Sequence, residues 1–186
     1  AERMMHSMQK LFGNVRGGLA VTVALIGIIL AASTGIIGAS VVLLGLMSVP
    51  VMLNQNYDKS LALGTVAASG CLGILIPPSI MLVIMGDQLA VPILDLFMGA
   101  VFPGLILGAL YIAYIVVYCK INPDKAPLAK DHGEIDLKTV LRALVDILPP
   151  AGLILLVLGS IFMGVSTVTE ASGIGALGAT LIAVIF

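Results

Sequence analysis

The sequence predicts an all-α membrane protein whose helices are interrupted at two places. Hydrophobic residues make up 60% of the 186-residue chain and charged residues only 10%, with a mean hydropathy of +1.17, whereas an ordinary soluble domain is about 25% charged. The 21 glycines lie within long apolar runs, where they let neighbouring helices pack closely in a bilayer. Small residues and prolines interrupt two of these runs. These interruptions predict a re-entrant helical hairpin and a discontinuous helix.

Residues 1–16 are polar and basic with apolar residues at roughly helical spacing, which predicts a short helix at the membrane surface. Residues 17–53 contain two short apolar runs separated by the small-residue stretch from Ser33 to Ser40. The first run has about 16 residues, fewer than the ~20 needed to span a bilayer. Two interpretations remain open: a re-entrant hairpin over 17–53, or one long helix with a small-residue packing face.

Residues 61–94 predict a broken helix, because the stretch from Gly70 to Ser79 contains two glycines and Pro77-Pro78. Each proline lacks a backbone N–H and clashes with the preceding helical turn. Backbone carbonyls freed in this way persist at membrane depth only when they are buried in protein or face a polar cavity. Carbonyls facing a cavity suit a cation such as Na⁺, and a helix beginning at Ser79 directs N–H groups at an anion. The stretch therefore predicts an ion and substrate site.

The remaining segments are simpler. Residues 95–119 predict a spanning helix, 120–146 a cytoplasmic connector with an amphipathic helix, and 147–186 a spanning helix followed by a further apolar run. Because the chain starts at Ala1 and stops within an apolar run, we expect a piece of a longer protein. No signal-peptide pattern occurs at its start.

Basic residues indicate the topology. If 17–53 is a hairpin, all nine Lys and Arg residues share one face, and the opposite connections, 87–95 and 164–170, carry none. The positive-inside rule then makes the basic face cytoplasmic. A rival topology, in which 61–86 forms the hairpin, misplaces only Lys59 and also remains open.

Candidate catalytic groups are scarce, so we do not expect an enzyme. His6 and His132 lie in polar segments away from any nucleophile or metal ligand, and no nucleotide-binding signature is present. Glu170 is the one acid beside a polar break within apolar sequence. It is interpreted either as a carboxylate at a helix start or as a functional acid within the membrane.

The run from Ala68 to Ser79, ASGCLGILIPPS, resembles the signature of the large membrane (permease) subunit of tripartite ATP-independent periplasmic (TRAP) transporters. Four further pieces match in order: Arg16 to Ala20, Pro50 to Met52, Phe102 to Gly104 and Thr167 to Ala171. The resemblance implies an elevator-type carrier of two inverted repeats in a bacterial inner membrane. This chain would hold the first repeat and the start of the second. It also implies a small membrane subunit and a periplasmic solute-binding protein as partners.

The resemblance further implies one Na⁺ site formed by the hairpin tip and the broken helix. Its residues here would be Thr34, Gly35, Gly38, Ser40, Gly70, Cys71 and Gly73. A substrate carboxylate is expected at Pro77, Pro78 and Ser79. Two departures from the usual pattern occur: Ile36 replaces a serine of the tip, and Val168 replaces a proline before Glu170.

The leading hypothesis is a permease subunit that imports small organic acids with Na⁺ as the coupling ion and no other cofactor. One alternative is an H⁺-coupled carrier of the same architecture, for which Glu170 is the only candidate acid. Another is a membrane scaffold subunit without transport, which would have no reason to break two helices at depth.

Overall fold

A computed structural model of the chain describes residues 16–127 and 137–185. Within these ranges the regular structure is entirely helical. The α-helices, in chain order, are α1 Gly18–Thr34, α2 Ile37–Asn54, α3 Lys59–Cys71, α4 Ile80–Leu89, α5 Ile93–Ile121, α6 Leu137–Phe162 and α7 Val168–Ile185. Short 3-10 turns follow α3 at Leu72–Ile74 and α5 at Pro123–Lys125. His6, His132 and the predicted surface helix before Arg16 lie outside the described residues.

Helices α1 and α2 form a hairpin with a two-residue turn. Gly35 ends α1 because it adopts a left-handed conformation with φ of 63°, and its N–H donates to the Ala31 carbonyl at 2.9 Å. Ile36 is extended, with φ of −132°, and α2 begins at the next residue. The chain from 17 to 54 is therefore two helices and not one long helix. We call Gly35 and Ile36 the tip.

The helix predicted to break between Gly70 and Ser79 is interrupted there. Helix α3 ends at Cys71, a 3-10 turn follows, and Ser79 is extended before α4 begins. Helix α4 ends at Leu89, earlier than the predicted limit of 94, because Ala90 is left-handed with φ of 52° and α5 begins after Pro92. We call the segment Leu72 to Ser79 the break.

Helices α5 and α6 are longer than the sequence suggests. Helix α5 has 29 residues and contains Pro103, and α6 has 26 residues and contains Pro149 and Pro150. The predicted boundary at residue 146 therefore falls inside one continuous helix. Helices α2 and α5 are long and apolar enough to cross a membrane.

The main apolar core surrounds α1, most of whose residues are buried. Helices α2 and α3 and the C-terminal end of α5 pack around it. A second, smaller cluster joins Phe97 of α5, Ile161 of α6 and Ala171 of α7. The outer face of α5 exposes large apolar side chains such as Phe102, as expected of a surface that contacts lipid.

The start of α1, the loop after α2 and the end of α5 meet at one end of the bundle. A Cβ atom on Gly17 would lie 2.5 Å from Cys119 Sγ, and the Asp58 N–H donates to the Lys125 carbonyl at 3.0 Å. The Tyr57 hydroxyl accepts a hydrogen bond from a backbone N–H in the first turn of α1, and burial raises the pKa of Tyr57 to about 12. We call this end the base of the hairpin.

Candidate functional site

The tip of the hairpin lies directly against the break. A Cβ atom placed on Gly35 would be 3.0 Å from the Pro78 carbonyl oxygen and 3.2 Å from the Ile80 nitrogen. Glycine suits this position for two reasons: its φ of 63° is unfavourable for other residues, and the neighbouring backbone leaves little room for a side chain. Two polar interruptions that are distant in sequence are thus brought into contact.

The C-terminal ends of two helices meet on one side of this contact. A Cβ atom on Gly73, in the 3-10 turn that extends α3, would lie 2.8 Å from the Ala31 carbonyl oxygen at the end of α1. Gly70 packs equally closely on α2, where its Cβ would lie 3.1 Å from the Val41 nitrogen. Because the C-terminal end of a helix is its negative end, α1 and α3 together direct partial negative charge at one region.

The N-terminal ends of α2 and α4 lie on the other side of the same contact. Neither Ile36 nor Ser79 caps its helix with a side chain. The first N–H groups of a helix have no acceptor within the helix. The start of α4 therefore presents backbone donors and the positive end of its dipole. Ser79 holds the break together, since its hydroxyl donates to the Ile74 carbonyl at 2.9 Å and the residue is buried.

Hydroxyl groups of the hairpin lie beside the tip. Thr34 and Ser40 form a hydrogen bond through their hydroxyl oxygens, which links the end of α1 to the first turns of α2. Ser40 also bonds to the Ile36 carbonyl at 2.9 Å, and only 1% of its surface is exposed. Ile36 itself is 48% exposed and adds an apolar side chain where a hydroxyl was expected from the resemblance.

A cavity of about 410 Å³ opens beside the tip and the break. Its polar end consists of Ser33, Thr34 and Ser79. The opposite wall is apolar and includes Phe97 of α5 with Val157 and Ile161 of α6. A volume of this size lies in the range of small-molecule sites. No charged side chain of the described residues lines the cavity.

The structure brings together most of the residues predicted for the site, but not all. Thr34, Gly35 and Ser40 lie at the tip or next to it, Gly70 and Gly73 pack against Val41 and Ala31 of the two hairpin helices, and Pro78 and Ser79 line the cavity. Pro77 is buried within the break and does not line the cavity.

Two predicted residues face outward. Gly38 is exposed, with no atom within 4 Å of the position of a Cβ, and Cys71 is an exposed free thiol. No group of three or more His, Cys, Asp or Glu side chains suited to a metal occurs among the described residues. Oxygen atoms of carbonyls and hydroxyls are the ligands that the tip and the break can offer to a cation.

Glu170 has a local structural role. Its carboxylate accepts hydrogen bonds from the Thr167 N–H at 2.8 Å and the Thr167 hydroxyl at 2.9 Å, and that hydroxyl in turn accepts from the Glu170 N–H at 3.3 Å. This reciprocal arrangement is a capping box at the start of α7. Glu170 does not line the cavity, and its geometry matches the interpretation as a helix-start carboxylate.

Comparison with known proteins identifies one family across the whole chain. The model of the DctM component of tripartite ATP-independent periplasmic transporters matches residues 1–186. The large permease protein of a C4-dicarboxylate TRAP transporter from Vibrio cholerae is 33% identical over 184 residues, which cover 98% of this chain and 39% of that protein.

The names of two further relatives refer to other substrates. The permease protein of an isethionate TRAP transporter from Oleidesulfovibrio alaskensis is 31% identical over 95% of this chain and 27% of its own length. The large permease protein of an ectoine/5-hydroxyectoine TRAP transporter from Ruegeria pomeroyi is 30% identical over 100% of this chain and 42% of its own length. The chain thus spans less than half the length of these relatives.

Proposed function

Because the chain belongs to the DctM component family of tripartite ATP-independent periplasmic transporters, a family of transporter permeases and not of enzymes, we propose that it forms the ion- and substrate-binding half of a Na⁺-coupled importer of small organic acids. The observation that carries this proposal is the contact between the tip and the break. The C-terminal ends of α1 and α3 lie together on one side of this contact, and the N-terminal ends of α2 and α4 lie together on the other. The names of its relatives include C4-dicarboxylate, isethionate and ectoine transporters. A small organic solute is therefore the expected substrate class.

The cation binds where α1 and α3 end. A helix C-terminus is equivalent to about −0.5 elementary charge, so two such ends supply about −1 near a single Na⁺. Carbonyl oxygens around Ala31 and Gly73, with the hydroxyls of Thr34 and Ser40, are the ligands in reach of this region. Na⁺ bound there draws the tip onto the break, because its ligands come from both.

The carboxylate of the substrate binds at the start of α4. The uncapped N–H groups after Ser79 supply hydrogen-bond donors to an anion without the need for a basic side chain. Gly35 lies against the same turn. Cation binding at the tip therefore fixes the substrate position, and the two ligands stabilise one arrangement of the tip and the break. Such coupling is reciprocal, so substrate binding also strengthens the binding of Na⁺.

The hairpin enters the membrane from the cytoplasmic side and does not cross it. Helix α1 has 17 residues and is about 25 Å long, and α3 with its 3-10 turn has 13 and 3 residues and is also about 25 Å long. Both start at the base of the hairpin, so the tip and the break lie at the same depth. Helix α4 continues beyond them for a further 10 residues. The basic residues Arg16, Lys59 and Lys120 lie at the base or next to it, as the positive-inside rule requires of the cytoplasmic side.

We infer the remaining components from the family. The transporter lies in a bacterial inner membrane, and this chain supplies the first of its two inverted repeats. Its partners are a small membrane subunit and a periplasmic solute-binding protein that delivers the substrate. Transport follows an elevator mechanism in which the domain holding the tip and the break slides against a scaffold. Neither alternative from the sequence is favoured: Glu170 caps α7, and a passive scaffold does not require two opposed helix breaks.

Uptake of labelled organic acids tests this function. The full-length chain, its small subunit and its binding protein are reconstituted in liposomes, and either a Na⁺ gradient or a pH gradient is imposed. We expect uptake with the Na⁺ gradient and loss of uptake when Gly35 or Gly73 is replaced by Val. Uptake with a pH gradient alone would refute Na⁺ coupling, and no uptake with either gradient would refute the importer.

A further inference from the structure

We propose that Gly104 of α5 is a positioning residue for the cation site, because its lack of a side chain lets the break lie directly on α5. The inference rests on the proposed function, since it concerns the Na⁺ site at the tip and the break. Gly104 ends the triplet Phe102-Pro103-Gly104. Phe102 and Pro103 are exposed, whereas Gly104 is buried, so it is the member of the triplet that faces the interior.

The break lies against the backbone of α5 at this glycine. A Cβ atom on Gly104 would be 3.2 Å from the Leu75 carbonyl oxygen and 3.0 Å from Ile76 Cγ1. Both distances are shorter than an ordinary van der Waals contact between such atoms. The carbonyl is a backbone group, so it moves aside only if the break itself moves. A side chain at position 104 would therefore displace the break.

The Leu75 carbonyl is one of the groups that the two prolines leave without a helical donor. In a 3-10 turn a carbonyl accepts from the residue three places further on, which for Leu75 is Pro78, and proline has no N–H. Such a carbonyl persists at membrane depth where protein buries it or where it faces a polar cavity. Helix α5 provides this burial at Gly104, which explains why a glycine suits the position.

Three elements hold the break, each at a different residue. The end of α1 meets it at Gly73, whose Cβ would lie 2.8 Å from the Ala31 carbonyl oxygen. The tip meets it at Pro78, whose carbonyl oxygen lies 3.0 Å from the position of a Cβ on Gly35. The contact of α5 with Leu75 falls between these two along the chain. A shift of Leu75 therefore changes the geometry on both sides of it, at the residues proposed to bind Na⁺.

The cost of a side chain at position 104 falls mainly on the Na⁺-bound state. Bound Na⁺ draws the tip onto the break, so the break is then held from several sides and cannot move away from α5. Without Na⁺ the break can yield. A substitution that penalises the bound state more than the free state weakens binding. Overpacking of a close contact corresponds to at least about a fivefold change in an equilibrium constant.

Substitution of Gly104 by alanine tests the inference. Saturable binding of radioactive Na⁺ is measured with the full-length permease and its small subunit in detergent. The rise in unfolding temperature at one fixed Na⁺ concentration is measured alongside, since it reports the same affinity. We expect Gly104→Ala to bind Na⁺ at least about fivefold more weakly and to show a smaller rise. A purely structural role would lower the unfolding temperature but leave the Na⁺ affinity unchanged.

Gly99→Ala and Gly108→Ala are matched controls on the same helix. Gly99 is exposed and has no atom within 4 Å of its Cβ position. A Cβ on Gly108 would meet the ends of flexible side chains, Ile28 Cδ1 at 3.3 Å and Leu72 Cδ1 at 3.8 Å. These ends can rotate into another rotamer, unlike a backbone carbonyl. We expect both variants to bind Na⁺ as the parent does.

A second background keeps the test informative if Gly104→Ala alone folds poorly. Ile76→Ala removes the side chain nearest to position 104 but keeps the Leu75 carbonyl. In this background Gly104→Ala meets only the carbonyl at short distance, and the loss of Na⁺ affinity should persist. If the loss disappears in this background, the Ile76 side chain and not the position of the break causes it, and the inference is overturned.

The outcomes also separate this inference from the function on which it rests. Saturable binding by the parent with equal affinity in the Gly104 and Gly99 variants would overturn the inference and leave the proposed cation site in place. Weaker binding in all three glycine variants would overturn it as well, because the effect would not depend on the contact with Leu75. Absence of saturable Na⁺ binding by the parent would overturn both the inference and the Na⁺ coupling of the proposed function.

Discussion

Replacement of Gly35 by Ala tests the contact between the tip and the break. At a φ of 63° an alanine is strained by about 1–2 kcal/mol. Its methyl group would also lie 3.0 Å from the Pro78 carbonyl oxygen and 3.2 Å from the Ile80 nitrogen. These are backbone atoms that cannot rotate away, and overpacking of this kind costs about 1–3 kcal/mol. We therefore expect Gly35→Ala to destabilise the protein by about 2–5 kcal/mol.

Gly38→Ala is the matched control, three residues further along the chain. Gly38 lies in α2, with no atom within 4 Å of its Cβ position and no left-handed backbone. Alanine there reduces the conformational freedom of the unfolded chain and should stabilise the helix by up to about 1 kcal/mol. The same substitution at the two glycines should thus have opposite effects.

Thermal unfolding of the full-length protein in detergent, followed by circular dichroism, measures both effects. The Gly35 variant should unfold at a lower temperature than the parent, and the Gly38 variant at the same or a higher temperature. If both variants unfold at the parent temperature, the tip does not pack against the break, and the reasoning about the site is wrong.

Two further predictions concern residues away from the cavity. Glu170→Ala removes the capping box and should lower the unfolding temperature slightly while leaving uptake dependent on Na⁺; a change of coupling ion in this variant would contradict the capping role. Burial raises the pKa of Tyr57 to about 12 in the folded protein. As the pH rises, this tyrosine therefore loses its proton in the unfolded chain before it does so in the folded protein. The free energy of unfolding should thus be constant below about pH 10 and fall between about pH 10 and 12. Tyr57→Phe should remove that fall in a pH titration of unfolding, and an unchanged fall would show that another group causes it.

Much of the helical architecture could be predicted from sequence, because the residues that end or interrupt the helices act through their own backbone conformation. Gly35 ends α1 through its own backbone conformation, and Pro77-Pro78 prevents a helix from passing through the break. The same local reasoning places a boundary near residue 146, ahead of Pro149 and Pro150, yet α6 continues through both prolines. In a membrane, prolines are tolerated inside helices because neighbouring groups satisfy the freed carbonyls.

The site was predictable in its residue types but not in its arrangement. The small residues at the tip and the break indicate, from the sequence alone, that the helices are interrupted at these two places. The contact of Gly73 with the Ala31 carbonyl, and the way helix ends of like polarity meet, arise only from tertiary packing. The apolar wall that includes Val157 gave no signal at all, since a valine in an apolar helix looks the same whether it faces lipid or a ligand. Gly38 and Cys71 matched a family pattern in sequence, but they face outward.

Direct binding of Na⁺ to the purified full-length protein tests the central claim, that carbonyls at the tip and the break hold the coupling ion. Binding of radioactive Na⁺ is measured for the parent, for Gly73→Ala and for Gly38→Ala. We expect saturable binding that Gly73→Ala weakens at least about tenfold, because its methyl group would lie 2.8 Å from the Ala31 carbonyl oxygen, and that Gly38→Ala leaves unchanged. Absence of saturable binding, or equal binding by both variants, would contradict the claim.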